Sequence, residues 1–150
     1  MSKVKYVHTN IVARDWRKLA RFYIKVFGCK KVLPERNMKG KWLRNLTNID
    51  GVHIKGIHLK LPGYDNGPTL EIFSYNKPLE RKYPSQINEK GYAHIAFQVD
   101  NIQENIDLIL RNGGSFYGEV SETGIENLGQ LIVVYMRDPE ENIIELQRWN

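Results

Sequence analysis

The chain contains a single cysteine, Cys29, in 150 residues. That excludes an internal disulfide framework and suits a reducing compartment such as the cytoplasm. Cys29 directly follows Gly28, a helix-ending residue by the pattern, and reads as a packing residue rather than a reactive one. No apolar run approaches the roughly 18 residues needed to cross a membrane. The opening Met1-Ser2-Lys3-Val4-Lys5 moves straight into a strand pattern without a signal-peptide core. A cytoplasmic protein with no membrane partner is expected. Dense basic blocks are missing too, although the net charge is +5: Lys39, Lys41 and Arg44 lie in one stretch, Arg81 and Lys82 in another. With no nucleic-acid motif beside them, these residues read as solvated surface charge. An anionic small substrate is compatible with the excess of positive charge.

What the chain does have is an internal repeat. Tyr6-Val7-His8 returns as Tyr92-Ala93-His94, and the same offset carries Asp15 onto Asn101 and Gly28 onto Gly114. The two copies also end alike. Leu70-Glu71-Ile72 with Asn76 parallels Ile144-Glu145-Leu146 with Asn150. Each copy thus carries a His near its start and a Glu near its end.

Local patterns give both copies the same element order. Residues 4–12 alternate as a strand, with Val4, Tyr6, His8, Asn10 and Val12 on one face. Asp15 is a helix N-cap, and Trp16, Leu19, Ala20, Tyr23, Val26 and Phe27 follow helical spacing up to Gly28. Strands are expected at 31–35, 52–61 and 69–75, with a loop holding a short helical turn at 37–51. Pro62 to Pro68 is dense in turn residues. The second copy repeats the order: a strand at 91–99, a helix over Ile102, Ile106, Ile109 and Leu110 capped by Asn101, then strands at 115–120, 130–136 and 142–149. The polar stretch 76–90, with Pro78 and Pro84, is the natural linker. The His-to-Glu span is 63 residues in the first copy (8 to 71) and 51 in the second (94 to 145), so the first copy has the elaborated loops. Such loops commonly carry specificity.

We therefore expect one α+β domain spanning 1–150: two tandem β-α-β-β-β modules, at about 4–75 and 91–149, forming a curved eight-stranded mixed sheet around a metal cup. Taken singly, each His or Glu is an ordinary strand residue. Their matched placement in both copies makes His8, Glu71, His94 and Glu145 candidate ligands of one divalent metal. Imidazole nitrogen with carboxylate oxygen suits Zn, Ni, Co, Mn or Fe(II) and does not suit Cu(I). Four protein ligands in a six-coordinate shell leave two positions open for substrate or water. His53 and His58 have no matching residue at the repeat offset and read as strand or surface residues.

On these residues the chain resembles the vicinal oxygen chelate (glyoxalase/bleomycin-resistance/dioxygenase) superfamily, over nearly its whole length. The paired modules, the Tyr-x-His strand openings and the Leu-Glu-Ile and Ile-Glu-Leu closing strands carry the resemblance. Arg137-Asp138-Pro139-Glu140-Glu141 looks like the hairpin common in that family, with Glu141 where Gly is usual. The resemblance implies a metal on His8, Glu71, His94 and Glu145 that chelates two adjacent oxygens of a small-molecule substrate. It is nearest to glyoxalase I-like and methylmalonyl-CoA epimerase-like members. In those branches a metal-side carboxylate, here Glu145 or Glu71, removes a proton beside a carbonyl, and the metal stabilises the enediolate. A metal-dependent lyase or isomerase acting on a 2-oxo or acyl-thioester compound follows, as does a homodimer. Val12 and Tyr75 stand where glyoxalase I has the arginine and asparagine that grip glutathione, and the epimerases usually have Gln at the Glu71 position. A dioxygenase or thiol transferase is the alternative enzyme reading. A non-catalytic antibiotic-binding protein is a third, but members of that kind lack the metal ligands that are present here.

Overall fold

A computed structural model describes residues 1–150, which divide into two compact units, Met1–Glu80 and Arg81–Asn150. In the first, the order is β1 (His8–Val12), α1 (Trp16–Phe27), β2 (Lys30–Lys39), α2 (Lys41–Thr47), β3 (His53–Lys60) and β4 (Thr69–Tyr75). In the second it is β5 (His94–Gln98), α3 (Ile102–Arg111), β6 (Ser115–Phe116), β7 (Ser121–Ile125), β8 (Gly129–Arg137) and β9 (Ile143–Trp149). Each unit is built on one mixed sheet. The first has strand order β1-β4-β3-β2, and the second β5-β9-β8-β6 with β7 also on β8. The opening and closing strands of each unit, β1 with β4 and β5 with β9, pair in parallel; the remaining pairs are antiparallel.

The helices form where the caps and apolar stripes require. Asp15 accepts from the Lys18 amide at 3.1 Å, and Gly28 ends α1 in the left-handed conformation. The buried face of α1, including Leu19, Tyr23 and Val26, belongs with β3 and β4, whose Ile57, Leu59, Leu70 and Ile72 are fully buried. Asn101 caps α3 through the Glu104 amide at 3.1 Å. Ile102, Ile106 and Ile109 face β8 and β9, whereas Leu110, expected on that stripe, is exposed. Cys29 is buried, and burial pushes its thiol up to about 11, which matches a packing role.

Three segments differ from the sequence expectation. β2 runs on to Lys39 instead of ending at Glu35, because β2 is an edge strand and a register irregularity between Val32 and Arg36 accommodates Pro34. The loop expected over 37–51 contains a real helix, α2. Its Leu43 is buried with Val52, Ile54 and Phe73, and Met38, Ile49 and Tyr75 pack against that cluster. In the second unit the expected strand over 115–120 is cut to two residues, and the next hairpin arm supplies β7, so the strands number nine rather than eight.

Gly56 marks the tightest approach in the first sheet. A Cβ there would lie 2.1 Å from the Ile72 carbonyl oxygen and 2.5 Å from the Phe73 ring. Both neighbours are fixed in β4, so overpacking cannot be relieved cheaply. Gly56→Ala is expected to destabilise the fold by about 1–3 kcal/mol, read as a lower urea midpoint with an unchanged slope.

Candidate metal centre

Strand alternation sorts the first sheet into two faces. Ile57, Leu59, Leu70 and Ile72 take the side of α1; their neighbours take the other. On that other side, parallel pairing sets His8 beside Thr69 and Asn10 beside Glu71. The antiparallel β3–β4 ladder sets His58 directly opposite Glu71. Five polar residues, His8, Asn10, His58, Thr69 and Glu71, therefore share this face through the register.

Glu71 is the centre of this group, and it is buried. Its Oε1 accepts from Asn10 Nδ2 at 2.8 Å and lies 3.5 Å from His8 Nε2. Its Oε2 lies 2.6 Å from His58 Nε2. A buried carboxylate is tolerated only when paired and hydrogen-bonded, and these three partners meet that need. His58 is fixed from behind by Thr69, whose Oγ1 is 2.8 Å from Nδ1. The His8 and His58 rings meet edge to face at 5.2 Å. Burial holds the His58 imidazole below its ordinary pKa, outweighing the opposing pull of Glu71, with Arg36 and His8 acting in the same direction as burial. The neutral ring is the form that ligates metals.

The donor atoms of His8, His58 and Glu71 all lie within 4.8 Å of one another. Metal–ligand bonds of about 2.0–2.2 Å put neighbouring ligand atoms about 3 Å apart and opposite ones about 4 Å apart. Two imidazoles and a carboxylate at this spacing fit a borderline divalent cation.

The second unit repeats the arrangement with two changes. β5 and β9 set Ala96 beside Glu145, and β8 sets Tyr135 opposite it. His94 Nε2 lies 3.0 Å from Glu145 Oε2. The Tyr135 hydroxyl hydrogen-bonds Glu145, and its pKa is raised by burial first and then by that carboxylate. The ring also meets His94 edge to face at 5.1 Å. Each unit thus carries one expected His–Glu pair in the same register. Asn10 and His58 of the first unit are replaced in the second by Ala96, which cannot donate, and by the phenol of Tyr135.

His58 is the residue that sequence reasoning set aside for want of a matching residue. Its counterpart is Tyr135, found by strand register rather than by residue type. The turn at 62–68 signalled a β3–β4 hairpin, but a seven-residue loop does not fix which residues face each other. His53, by contrast, stays outside the cluster: its Nε2 is 2.5 Å from Asn37 Oδ1. Asn76 is also committed elsewhere. It accepts from the His53 amide and donates to the Gly51 carbonyl, so it tethers the start of β3. Arg14 pairs with Glu80 at 3.2 Å on the surface. In the hairpin before β9, Glu141 takes the left-handed conformation (φ 68°) that glycine would accept without strain. Asp138 holds this turn, accepting from the amides of Glu140 and Asn142 and from the Asn142 side chain.

Two units, each a mixed sheet with a His and a Glu side by side on its first and last strands, define a duplicated architecture. The family model of the Glyoxalase/Bleomycin resistance protein/Dioxygenase superfamily matches residues 5–146, and the chain belongs to that superfamily. A curated relative, the lactoylglutathione lyase of Schizosaccharomyces pombe, is 28% identical over 152 residues. The match covers 97% of this chain and 48% of the relative, so the chain spans about half that protein's length. Among solved structures, a glyoxalase family protein from Bacillus cereus superposes with a TM-score of 0.84 at 19% identity, covering 99% of this chain and 96% of that one. A fosfomycin resistance protein from Listeria monocytogenes, complexed with Mn(II) and sulfate, gives a TM-score of 0.53 at 16% identity over 100% of this chain and 94% of that one. These structural likenesses establish the fold.

Proposed function

We propose that this chain is a metal-dependent lyase or isomerase of the glyoxalase type, acting on a small 2-oxo or acyl-thioester compound. In this reading 1–150 works as one domain, and His8, Glu71, His94 and Glu145 hold one divalent cation. The observation that carries the reading is the shared register: the Glu lies beside the second residue after the His in both β1–β4 and β5–β9. The likeness to a lactoylglutathione lyase supports the reaction class. When bound, the cation would act as a Lewis acid toward negative charge developing on substrate oxygens.

The chain's own residues divide the remaining work. His8 and His94 supply imidazole nitrogen donors, and Glu71 is strapped by Asn10 and His58. Glu145 has only His94 and the Tyr135 hydroxyl beside it. A carboxylate serves as a base only when it can leave a cation and reach the carbon-bound proton, and Glu145 is the less tethered of the two. Glu145 is therefore the base, and Glu71 the fixed ligand. The test is deuterium uptake from D2O into a panel of methylglyoxal hemithioacetals and acyl-thioester epimers. Exchange with one of these supports the reading. Oxygen consumption with catechols, or thiol transfer to an epoxide, moves the chain to the alternative enzyme branch, for which the fold likeness to the fosfomycin resistance protein is the supporting observation.

The same reading includes a homodimer. In the first sheet β1 and β2 are edge strands, and Val7, Val12 and Leu33 on or beside them are exposed. Such edges and apolar side chains are usually covered. Sedimentation at micromolar concentration is expected to show a species of twice the 17.5 kDa chain mass; a pure monomer contradicts this.

A further inference from the structure

We propose that His58 is itself a metal ligand, so that the first unit supplies a His8–His58–Glu71 triad where the second supplies only His94 and Glu145. This rests on the reading above that the chain binds a divalent cation. The argument starts from the ladder. His58 faces Glu71 across β3–β4, and its Nε2 points at the Glu71 carboxylate at 2.6 Å. That nitrogen, with His8 Nε2 and a Glu71 oxygen, belongs to the set lying within 4.8 Å of one another.

The rear nitrogen supports the assignment. Ligating histidines characteristically place their second ring nitrogen on a fixed partner, which sets the tautomer and ring orientation. Thr69 Oγ1 fills that role for His58 at 2.8 Å, and Thr69 is itself held in β4. With Nδ1–H donated to Thr69, the Nε2 lone pair faces the Glu71 carboxylate. Two lone-pair-bearing atoms at 2.6 Å repel unless a proton or a cation lies between them. In the other tautomer Nε2–H donates to Glu71 and the Thr69 hydroxyl donates to Nδ1. A cation held by both atoms widens that 2.6 Å separation to about 3 Å and leaves Nδ1–H on Thr69.

The second unit shows what the position looks like without this role. Tyr135 occupies the equivalent register, placing a phenol with no ring nitrogen opposite Glu145 and edge to face against His94 at 5.1 Å. The duplication has thus diverged at one strand position.

Co(II)-loaded full-length protein tests this. Each coordinated imidazole that keeps its remote N–H gives a hyperfine-shifted exchangeable proton resonance. The His58 resonance, protected by Thr69, is expected to be present in the wild type and absent in His58→Phe, with Co(II) affinity reduced about 10-fold or more. His53→Phe is expected to leave spectrum and affinity unchanged. His58→Gln serves as the second variant should the phenylalanine form not fold, since its amide still donates to Glu71. If His58 only hydrogen-bonds Glu71, affinity falls but every shifted resonance survives in both variants, and that result overturns the assignment while leaving the metal reading intact. A wild type that binds no Co(II) overturns both.

Discussion

Glu71→Ala is expected to lower the affinity for a divalent cation by more than about 100-fold, because even partners that only support a ligand commonly cost 10- to 100-fold. Glu71 is the point where the first unit's polar side chains meet. Removing it deletes one donor and also releases His58 and Asn10, which it holds at 2.6 and 2.8 Å. Asn10 is exposed, so water replaces the lost acceptor and the stability cost is expected to be small. Glu71→Gln separates the two effects. The amide preserves shape and one acceptor oxygen for Asn10, so stability is expected to hold while cation affinity still collapses with the lost charge. Competition titration against a chromogenic chelator, with thermal unfolding alongside, reads both quantities. Unchanged affinity in Glu71→Gln would remove this residue from the site.

Glu145→Gln is expected to abolish substrate hydrogen exchange while retaining the fold. The amide has no basic lone pair to accept a carbon-bound proton, whereas its size and its contacts with His94 and Tyr135 are close to those of the acid. The loss should fall on kcat, because a base acts on the reacting proton and not on ground-state binding. Glu71→Gln should instead lose activity in proportion to lost cation and recover part of it at high metal concentration. Exchange that persists at wild-type rate in Glu145→Gln assigns the base to another residue.

The parts of this picture legible in the sequence are those governed by short-range rules. Asp15 and Asn101 announced helix starts, Gly28 a helix end, and alternation put Asn10 on the His8 face. The repeat gave the His–Glu pairs, since equal positions in a duplicated fold receive equal environments. What stayed hidden depends on long-range register. His58 meets Glu71 only because of where the β3–β4 ladder settles, and neither strand's composition states that offset. Likewise α2 is too short for a helical stripe to be recognised, and only packing of Leu43 onto Ile54 and Phe73 makes the segment hold its shape. The unequal tethering of Glu71 and Glu145 follows from the same hidden register. The repeat alone makes the two carboxylates equals, whereas the Asn10/Ala96 and His58/Tyr135 differences separate them.

The central claim is that His and Glu from both repeats serve one cation. The measurement closest to it is metal titration of chelator-stripped protein, comparing the wild type with His94→Ala. The wild type is expected to take up one equivalent of a divalent cation per chain. His94→Ala is expected to lose more than about 10-fold in affinity, as removal of a direct ligand requires. A wild type that binds no divalent metal, or a His94→Ala protein that binds it as tightly as the wild type, contradicts the claim.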